Sequence, residues 1–302
     1  MDAVVPPSRR DLLGRTILVT GANAGIGYWC AEQLATRGAR VILGCRSPER
    51  AQTAVTAIRT RLPAADLHVL PLDLGSLAGV AAASTEVDEQ LDAVICNAGV
   101  KAADPQARTS DGLDLMVGTN FLGHFALIAQ LQSRLAPDAR MVAVGSIAHR
   151  FARLDAATID APWRGSSLRQ YGRSKASLMA FAFELARRWS GTSRAAVCAH
   201  PGYAVDPLTP PRPGLAPVPG VIRALAAPSR ILVQGKDGGA LPIVHAATAA
   251  DVANGDYWGP GGLLEFRGTP RRVTASDEVR APATGAELWA AAERLTGTRF
   301  ST

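Results

Sequence analysis

From residue 16 onward, short apolar runs alternate with longer amphipathic or alanine-rich stretches. "TILVTG" is a strand-length run ending in glycine, and "YWCAEQLATRGA" after it has the length of a helix and closes on Gly38. "RVILGC" predicts a second strand, followed by a helix over 48–61, the strand "LHVLPLDL", a helix over 76–90 and the strand "LDAVICNAG". Past a polar loop come a helix over 111–135, the strand "ARMVAVGS", a loop, a helix over 168–189 and the strand "RAAVCAHPG". Strands that alternate with helices are joined by crossovers, so they build a parallel sheet covered on both faces.

This pattern predicts the α/β class, a doubly wound, Rossmann-like sheet of about seven strands. The regular beat stops after residue 202, where "YAVDPLTPPRPGLAPVPG" carries prolines too densely for a helix interior or a central strand. The stretch over about 203–240 reads as a lid, because the chain beyond it is too short for a second core. That remainder holds one further helical stretch, a strand around "GLLEFRG" and a helix over 282–296. The expectation is one domain over 1–302, with a C-terminal extension over about 256–302.

Composition narrows the partners. Of the 302 residues, 47% are hydrophobic and only 5% aromatic, so the core is expected to be Ala, Val, Leu and Ile, which suits a buried parallel sheet. The excess of Lys plus Arg over Asp plus Glu, 32 to 26, is spread along the chain, so a small anionic ligand accounts for it better than nucleic acid. Cys30, Cys45, Cys96 and Cys198 are far apart, and most sit in apolar runs, which favours a reducing compartment over a disulfide framework. No apolar stretch has the length of a membrane span, and "MDAVVPPSRR" lacks the order of a signal peptide. A cytoplasmic protein with a short loose arm at its start is expected. The five histidines, His68, His124, His149, His200 and His245, show no metal-ligand spacing, so no metal site is expected.

"TGANAGIG", residues 20–27, falls where the first strand meets the first helix. Gly21, Gly25 and Gly27 have no Cβ to block a tight turn or hold off phosphates, and the helix N-terminus offers free N–H groups, so a dinucleotide pyrophosphate fits. The fixed lysine of a nucleoside-triphosphate loop is missing. Arg46 ends the second strand where an acid would select NAD; its guanidinium can grip a 2′-phosphate, which favours NADP(H) over NAD(H). The plainer alternative is a surface residue ahead of the helix begun by Ser47 and Pro48. Asp73 either meets the adenine edge or is the first acid of the next helix.

"YGRSK" sets Tyr171 and Lys175 at i and i+4, on one helix face. A phenol with a pKa near 10 is a poor base at neutral pH. A nearby ammonium and a cationic nicotinamide would lower that value, and two units correspond to about 2.7 kcal/mol, within reach of one unit charge a few ångströms away. Ser146 ends the fifth strand, Asn97 the fourth, and Asn120 is polar within an apolar stretch. Taken singly, Ser146 can cap, Asn97 can turn the chain and Asn120 can satisfy a buried carbonyl.

Together, "TGANAGIG", "LDL", "NAG", "TNFLGHF", the serine of "VAVGS", "YGRSK" and "HPG" resemble the short-chain dehydrogenase/reductase family from about residue 14 to residue 202. "GCRSPERA", "NFLGHF", the 25-position step from Ser146 to Tyr171 and "DYWGPGGLLEFRG" resemble its retinol dehydrogenase and protochlorophyllide-reductase-like branch. The resemblance implies a catalytic set of Ser146, Tyr171 and Lys175, with Asn120 holding a water that relays protons from Lys175. Tyr171 would be general acid in reduction and base in oxidation, Ser146 would orient the carbonyl, and Lys175 would also bind the nicotinamide ribose. It further implies cofactor contacts from Gly21, Asn23, Gly25, Ile26, Gly27, Arg46, Asp73, Leu74, Asn97, Ala98, Gly99, Pro201 and Gly202, and a lipophilic alcohol or carbonyl substrate handled with NADP(H). Dimers or tetramers are common in the family. His124 would serve packing, and His149 would line the substrate entrance at most.

Two positions depart from the pattern. Asp206 stands near the place where relatives have a threonine after "HPG", and a carboxylate there would repel a pyrophosphate unless it turns outward or Thr209 substitutes. Tyr28 and Trp29 directly follow the glycine loop and read as packing for the first helix, although Tyr28 could narrow the pocket. Two other functions share these motifs: a dinucleotide-binding sensor or assembly partner without turnover, and a sugar-nucleotide epimerase or dehydratase.

Overall fold

Residues 11–215 and 217–300 are described by the computed structural model; the arm expected at the start of the chain lies outside them. Eight strands form one sheet in the order β3-β2-β1-β4-β5-β6-β7-β8. They are β1 Thr16–Thr20, β2 Arg40–Cys45, β3 Leu67–Pro71, β4 Leu91–Cys96, β5 Leu135–Val144, β6 Ala195–Ala199, β7 Tyr257–Pro260 and β8 Pro270–Arg272. Strands β1 to β7 pair in parallel, and β8 closes the edge antiparallel to β7. Strand order reverses between β1 and β4, the switch point at which open α/β sheets bind ligands.

Side-chain alternation sorts the core onto the two faces. On β1, Leu18 joins the cluster packed under α3 (Leu77–Glu86), α5 (Gly123–Gln130), α6 (Ser167–Arg188) and α10 (Pro282–Thr296). Ile17 and Val19 join the opposite cluster, under α1 (Gly25–Thr36), α2 (Pro48–Arg61) and α8 (Lys236–Thr248). The scarce aromatics concentrate on the first face, where Phe125 meets Phe181 and Trp289, each at a ring separation of 5.2 Å. Serine caps start three of these helices: Ser47, Ser76 and Ser166 accept from the backbone N–H groups of Arg50, Gly79 and Arg169.

The helix expected over 111–135 is shorter and broken. Asp114 accepts from the N–H groups of Met116 and Val117 and starts α4 (Leu115–Val117), a π-helical turn over Gly118–Leu122 succeeds it, and α5 ends at Gln130. Leu135 already pairs with Leu91 in the sheet. The strand expected around "GLLEFRG" is instead a 3-10 turn, Leu263–Glu265, with left-handed backbone at Leu264 and Glu265. The strand lies earlier, at Tyr257–Pro260, because Tyr257 and Trp258 pair with β6 whereas Leu263 and Leu264 face solvent. Apolar composition alone misplaced it.

The lid contains α7 (Gly220–Ala226), which buries none of its residues, and it is tied down by Arg212. That guanidinium pairs with Glu32 of α1 at 2.6 Å and lies 4.2 Å from the Trp29 ring centre. Tyr28 is fully buried and donates to Glu32 at 2.7 Å, as packing requires. The short α9 (Asp277–Arg280) leads into α10. All four cysteines are free and buried, and no helix among the described residues is long and apolar enough to cross a membrane.

Candidate active site

The β1-to-α1 turn fits a pyrophosphate for steric and electrostatic reasons. Gly21 and Gly25 have φ of +67° and +59°, and a Cβ on Gly27 would lie 2.3 Å from the Gly21 carbonyl oxygen. Ala24 caps α1 without a side-chain acceptor, which leaves the first-turn N–H groups available to an anion. A cleft of about 470 Å³ opens over this turn, with Asn23, Ile26, Arg46, Asp73, Leu74 and Gly99 in its wall. The Arg46 guanidinium has no hydrogen bond or ion pair to any described residue, and Arg50 lines the same cleft. Asp73 Oδ1 accepts from Gly75 N at 2.9 Å, so it turns the chain while bordering the cleft.

"NAG" ties two strand ends together through both backbone and side chain. Asn97 Nδ2 donates to the Thr20 carbonyl at 2.8 Å, and the N–H groups of Asn97 and Ala98 donate to Thr20 Oγ1 at 3.0 and 2.9 Å. Those bonds lock the end of β4 to the end of β1. His124 continues the network from Thr20 Oγ1, at 2.9 Å from Nε2, to the Asn120 carbonyl, at 3.0 Å from Nδ1. The carbonyl needs a donor, so Nδ1 carries the proton and Thr20 donates to Nε2. Burial lowers His124 to about 3, which keeps it neutral. The packing role implied for it is thus a hydrogen-bonded one.

Asn120 sits in the π-helical turn and is fully buried. Its Oδ1 accepts from Val100 N at 2.7 Å, and its Nδ2 donates to the Val100 carbonyl and to Ser174 Oγ at 3.0 and 2.8 Å. Lys175 extends beneath Gly99: a Cβ there would lie 3.2 Å from both Lys175 Nζ and Asn120 Oδ1. Lys175 Nζ donates to the Val144 carbonyl at 2.9 Å, and burial lowers the ammonium from 10.5 to about 8.

A larger cleft, about 1230 Å³, contains Ser146 and Tyr171 in its wall, along with Lys101, the residue after Val100 of the first cleft. Ser146 lies just past β5 and caps a 3-10 turn over Ile147–Phe151, accepting from Ala148 N at 3.2 Å. The capping interpretation of Ser146 therefore holds, and its hydroxyl proton stays free for another partner. Gly172 lets α6 approach this turn, since a Cβ on it would lie 2.8 Å from the Ala148 carbonyl oxygen. That approach brings Tyr171 to Ser146. Burial raises the phenol above its ordinary 10, and the Ser146 hydrogen bond pulls it back. The direction is opposite to the lowering expected from Lys175: desolvation outweighs any help from the ammonium, which is itself weakened by burial and engaged with Val144.

Several groups behind the site were missed or misjudged in the sequence. His149 does not line the entrance; it is buried, with Nδ1 2.7 Å from the Ser146 carbonyl and Nε2 accepting from Ser276 N at 3.3 Å. His200 accepts from Gly202 N at 3.2 Å through Nδ1, so its Nε2 carries the proton and faces Glu265 at 3.1 Å. Glu265 also takes two bonds of 2.8 Å from Arg150. This brace holds the chain at Gly202, which borders the larger cleft; the Pro201 carbonyl accepts from Gln234 Nε2 at 2.9 Å.

Asp206 does not confront the glycine turn unpartnered. It pairs with Lys236 at 2.5 Å, and Thr209 does not take its place: Thr209 Oγ1 accepts from Lys236 N at 2.8 Å, capping α8. Lys236 itself lines the dinucleotide cleft, although nothing in the glycine motif points to a residue so far along the chain.

A family model for short chain dehydrogenases matches residues 15–211. Dehydrogenase/reductase SDR family member 13 from Bos taurus is 40% identical over 237 residues, 76% of this chain and 61% of that protein. Retinol dehydrogenase 13 from Homo sapiens is 33% identical over 299 residues, 96% of this chain and 87% of the relative. Among solved structures, an uncharacterized protein from Mycobacterium Paratuberculosis superposes with a TM-score of 0.79 at 32% identity, covering 96% of both chains. With the glycine turn, the Ser146–Tyr171 contact and the buried Lys175 at one sheet edge, these likenesses show that the chain belongs to the short-chain dehydrogenase/reductase family, in its retinol dehydrogenase-like branch.

Proposed function

We propose that the protein is an NADP(H)-dependent oxidoreductase that interconverts an alcohol and a ketone or aldehyde, with Tyr171 as the general acid and base. The observation that carries this reading is the position of Tyr171, with Ser146 in the wall of a large cleft and one helical turn from Lys175, which comes together with Asn120 under Gly99. Gly21, Gly25, Gly27 and the start of α1 would hold the pyrophosphate, Arg46 and Arg50 the 2′-phosphate, and Gly99 with Lys175 the nicotinamide ribose. When bound, the nicotinamide supplies or accepts the hydride.

The chain's own residues handle the proton. Ser146 donates to the substrate oxygen and orients it, while Tyr171 gives its proton to that oxygen in reduction and takes it back in oxidation. Lys175 follows Tyr171 by one turn of α6 and comes together with Asn120 under Gly99, so a water held by Asn120 could replenish the proton from Lys175. Desolvation raises the free phenol. A cationic neighbour at the cleft would lower it, so the site becomes competent as a base only when loaded with oxidised cofactor.

Trp163, Phe151, Leu168, Tyr203 and Phe266 line the substrate cleft, which supports a lipophilic substrate. The names of the retinol dehydrogenase relatives agree with that class. Pairing of Asp206 with Lys236 removes the main reason to favour a sensor without turnover. The test is a panel of lipophilic ketones and aldehydes with NADPH. Oxidation of NADPH by at least one is expected; binding of NADPH with no turnover across the panel would favour the sensor.

A further inference from the structure

The geometry points to Lys236 as the residue that clamps the dinucleotide pyrophosphate from the lid side, with Asp206 as a built-in anion that competes for it. This inference rests on the dinucleotide reading above.

Lys236 opens α8, which packs beside α1 on the same face of the sheet. A Cβ on Gly25 would lie 3.8 Å from Lys236 Nζ, so the ammonium already stands over the middle of the glycine turn. It lines both the dinucleotide cleft and a neighbouring cleft under the proline-rich lid. Its backbone is held by Thr209 Oγ1, at 2.8 Å, while Thr209 in turn donates to the Val205 carbonyl at 2.8 Å. The helix start is therefore fixed and only the side chain is free to choose a partner.

In this structure the partner is Asp206, at 2.5 Å. The two groups are unequally placed: the Lys236 side chain is 24% exposed and that of Asp206 62%. An ion pair with so exposed a carboxylate is worth little, because water competes for both charges. A pyrophosphate held by the N–H groups of the glycine turn would offer Lys236 a stronger, less solvated anion. Asp206 would then be released to solvent. Position 206 is thus one half of a charge pair, in which the lysine attracts the cofactor and the aspartate sets the threshold for binding.

The experiment is a fluorescence titration of the full chain with NADPH, alongside competition by adenosine 2′-monophosphate, which has no pyrophosphate. Lys236→Gln is expected to weaken NADPH about tenfold, the scale of one charge-assisted contact, and to leave the monophosphate within about twofold. Lys236→Arg should restore most of the affinity. Asp206→Asn should tighten NADPH about threefold or more, since the competing anion is gone. The inference is overturned if Lys236→Gln binds NADPH as wild type does, if it weakens both ligands equally, as a folding defect would, or if Asp206→Asn weakens binding. Wild type that binds no NADPH would sink the dinucleotide reading itself; wild type that binds and turns over while Lys236→Gln is unchanged would sink this inference alone.

Discussion

Gly172→Ala is the substitution that separates positioning from chemistry most cleanly. It adds one methyl group next to Tyr171 and removes no polar group. The new Cβ would lie 2.8 Å from the Ala148 carbonyl oxygen, where ordinary contact begins at 3.4 Å, so α6 and the Ser146 turn must separate by roughly 0.6 Å. Alanine is the better helix former by about 1 kcal/mol, which offsets much of the about 1–3 kcal/mol that overpacking costs. The fold should survive, with a melting temperature lowered by a few degrees at most. The phenol, however, moves relative to Ser146. A misplacement of about 1 Å can cost about a hundredfold in rate, so a loss of roughly ten- to fiftyfold in kcat is expected. NADPH affinity should fall far less than kcat, because the glycine turn is on other elements and only Lys175 moves with α6. Steady-state kinetics and an NADPH titration on the same preparation provide the check. A kcat within twofold of wild type would refute the claim that the close approach at Gly172 sets the Tyr171 geometry.

Other expectations concern charge. Arg46→Asp should weaken NADPH about tenfold or more and leave NADH unchanged or tighter; equal losses for both would remove Arg46 from 2′-phosphate recognition. Burial holds Lys175 near 8 against an ordinary 10.5, so the unfolded chain binds more protons between those values and stability rises with pH through that window. Below pH 8 the cost is fully present, on the order of 3 kcal/mol, while the Val144 hydrogen bond returns about 1 kcal/mol. Lys175→Met should therefore be more stable than wild type by about 2 kcal/mol at pH 7 in urea unfolding and lose that advantage by about pH 10.5. An equal gain at both pH values would contradict a buried ammonium.

The sheet and the glycine turn were legible because they rest on local signals: apolar runs of strand length, glycine where β1 meets α1, serines ahead of helices. Sequence order also exposed Ser146, Tyr171 and Lys175, which lie near one another along the chain. What stayed hidden depends on packing between distant segments. Lys236 reaches the glycine turn from a helix more than two hundred residues further along the chain, and His200, Glu265 and Arg150 meet only when the turn after β7 folds back. "GLLEFRG" looked like a strand because exposed leucines carry the same letters as buried ones. The desolvation that raises Tyr171 before cofactor binds was hidden for a related reason: spacing on a helix reveals a neighbouring charge but not the burial around it. The value of the glycine in "YGRSK" emerges only with Ala148 against it.

The account turns on a single phenolic proton. Single-turnover reduction of a ketone or aldehyde substrate by NADPH, compared between wild type and Tyr171→Phe, tests it most directly. The prediction is unchanged NADPH binding with hydride transfer slowed more than about a hundredfold, the scale of lost general acid catalysis. A Tyr171→Phe variant that reduces substrate within a few-fold of the wild-type rate would contradict it.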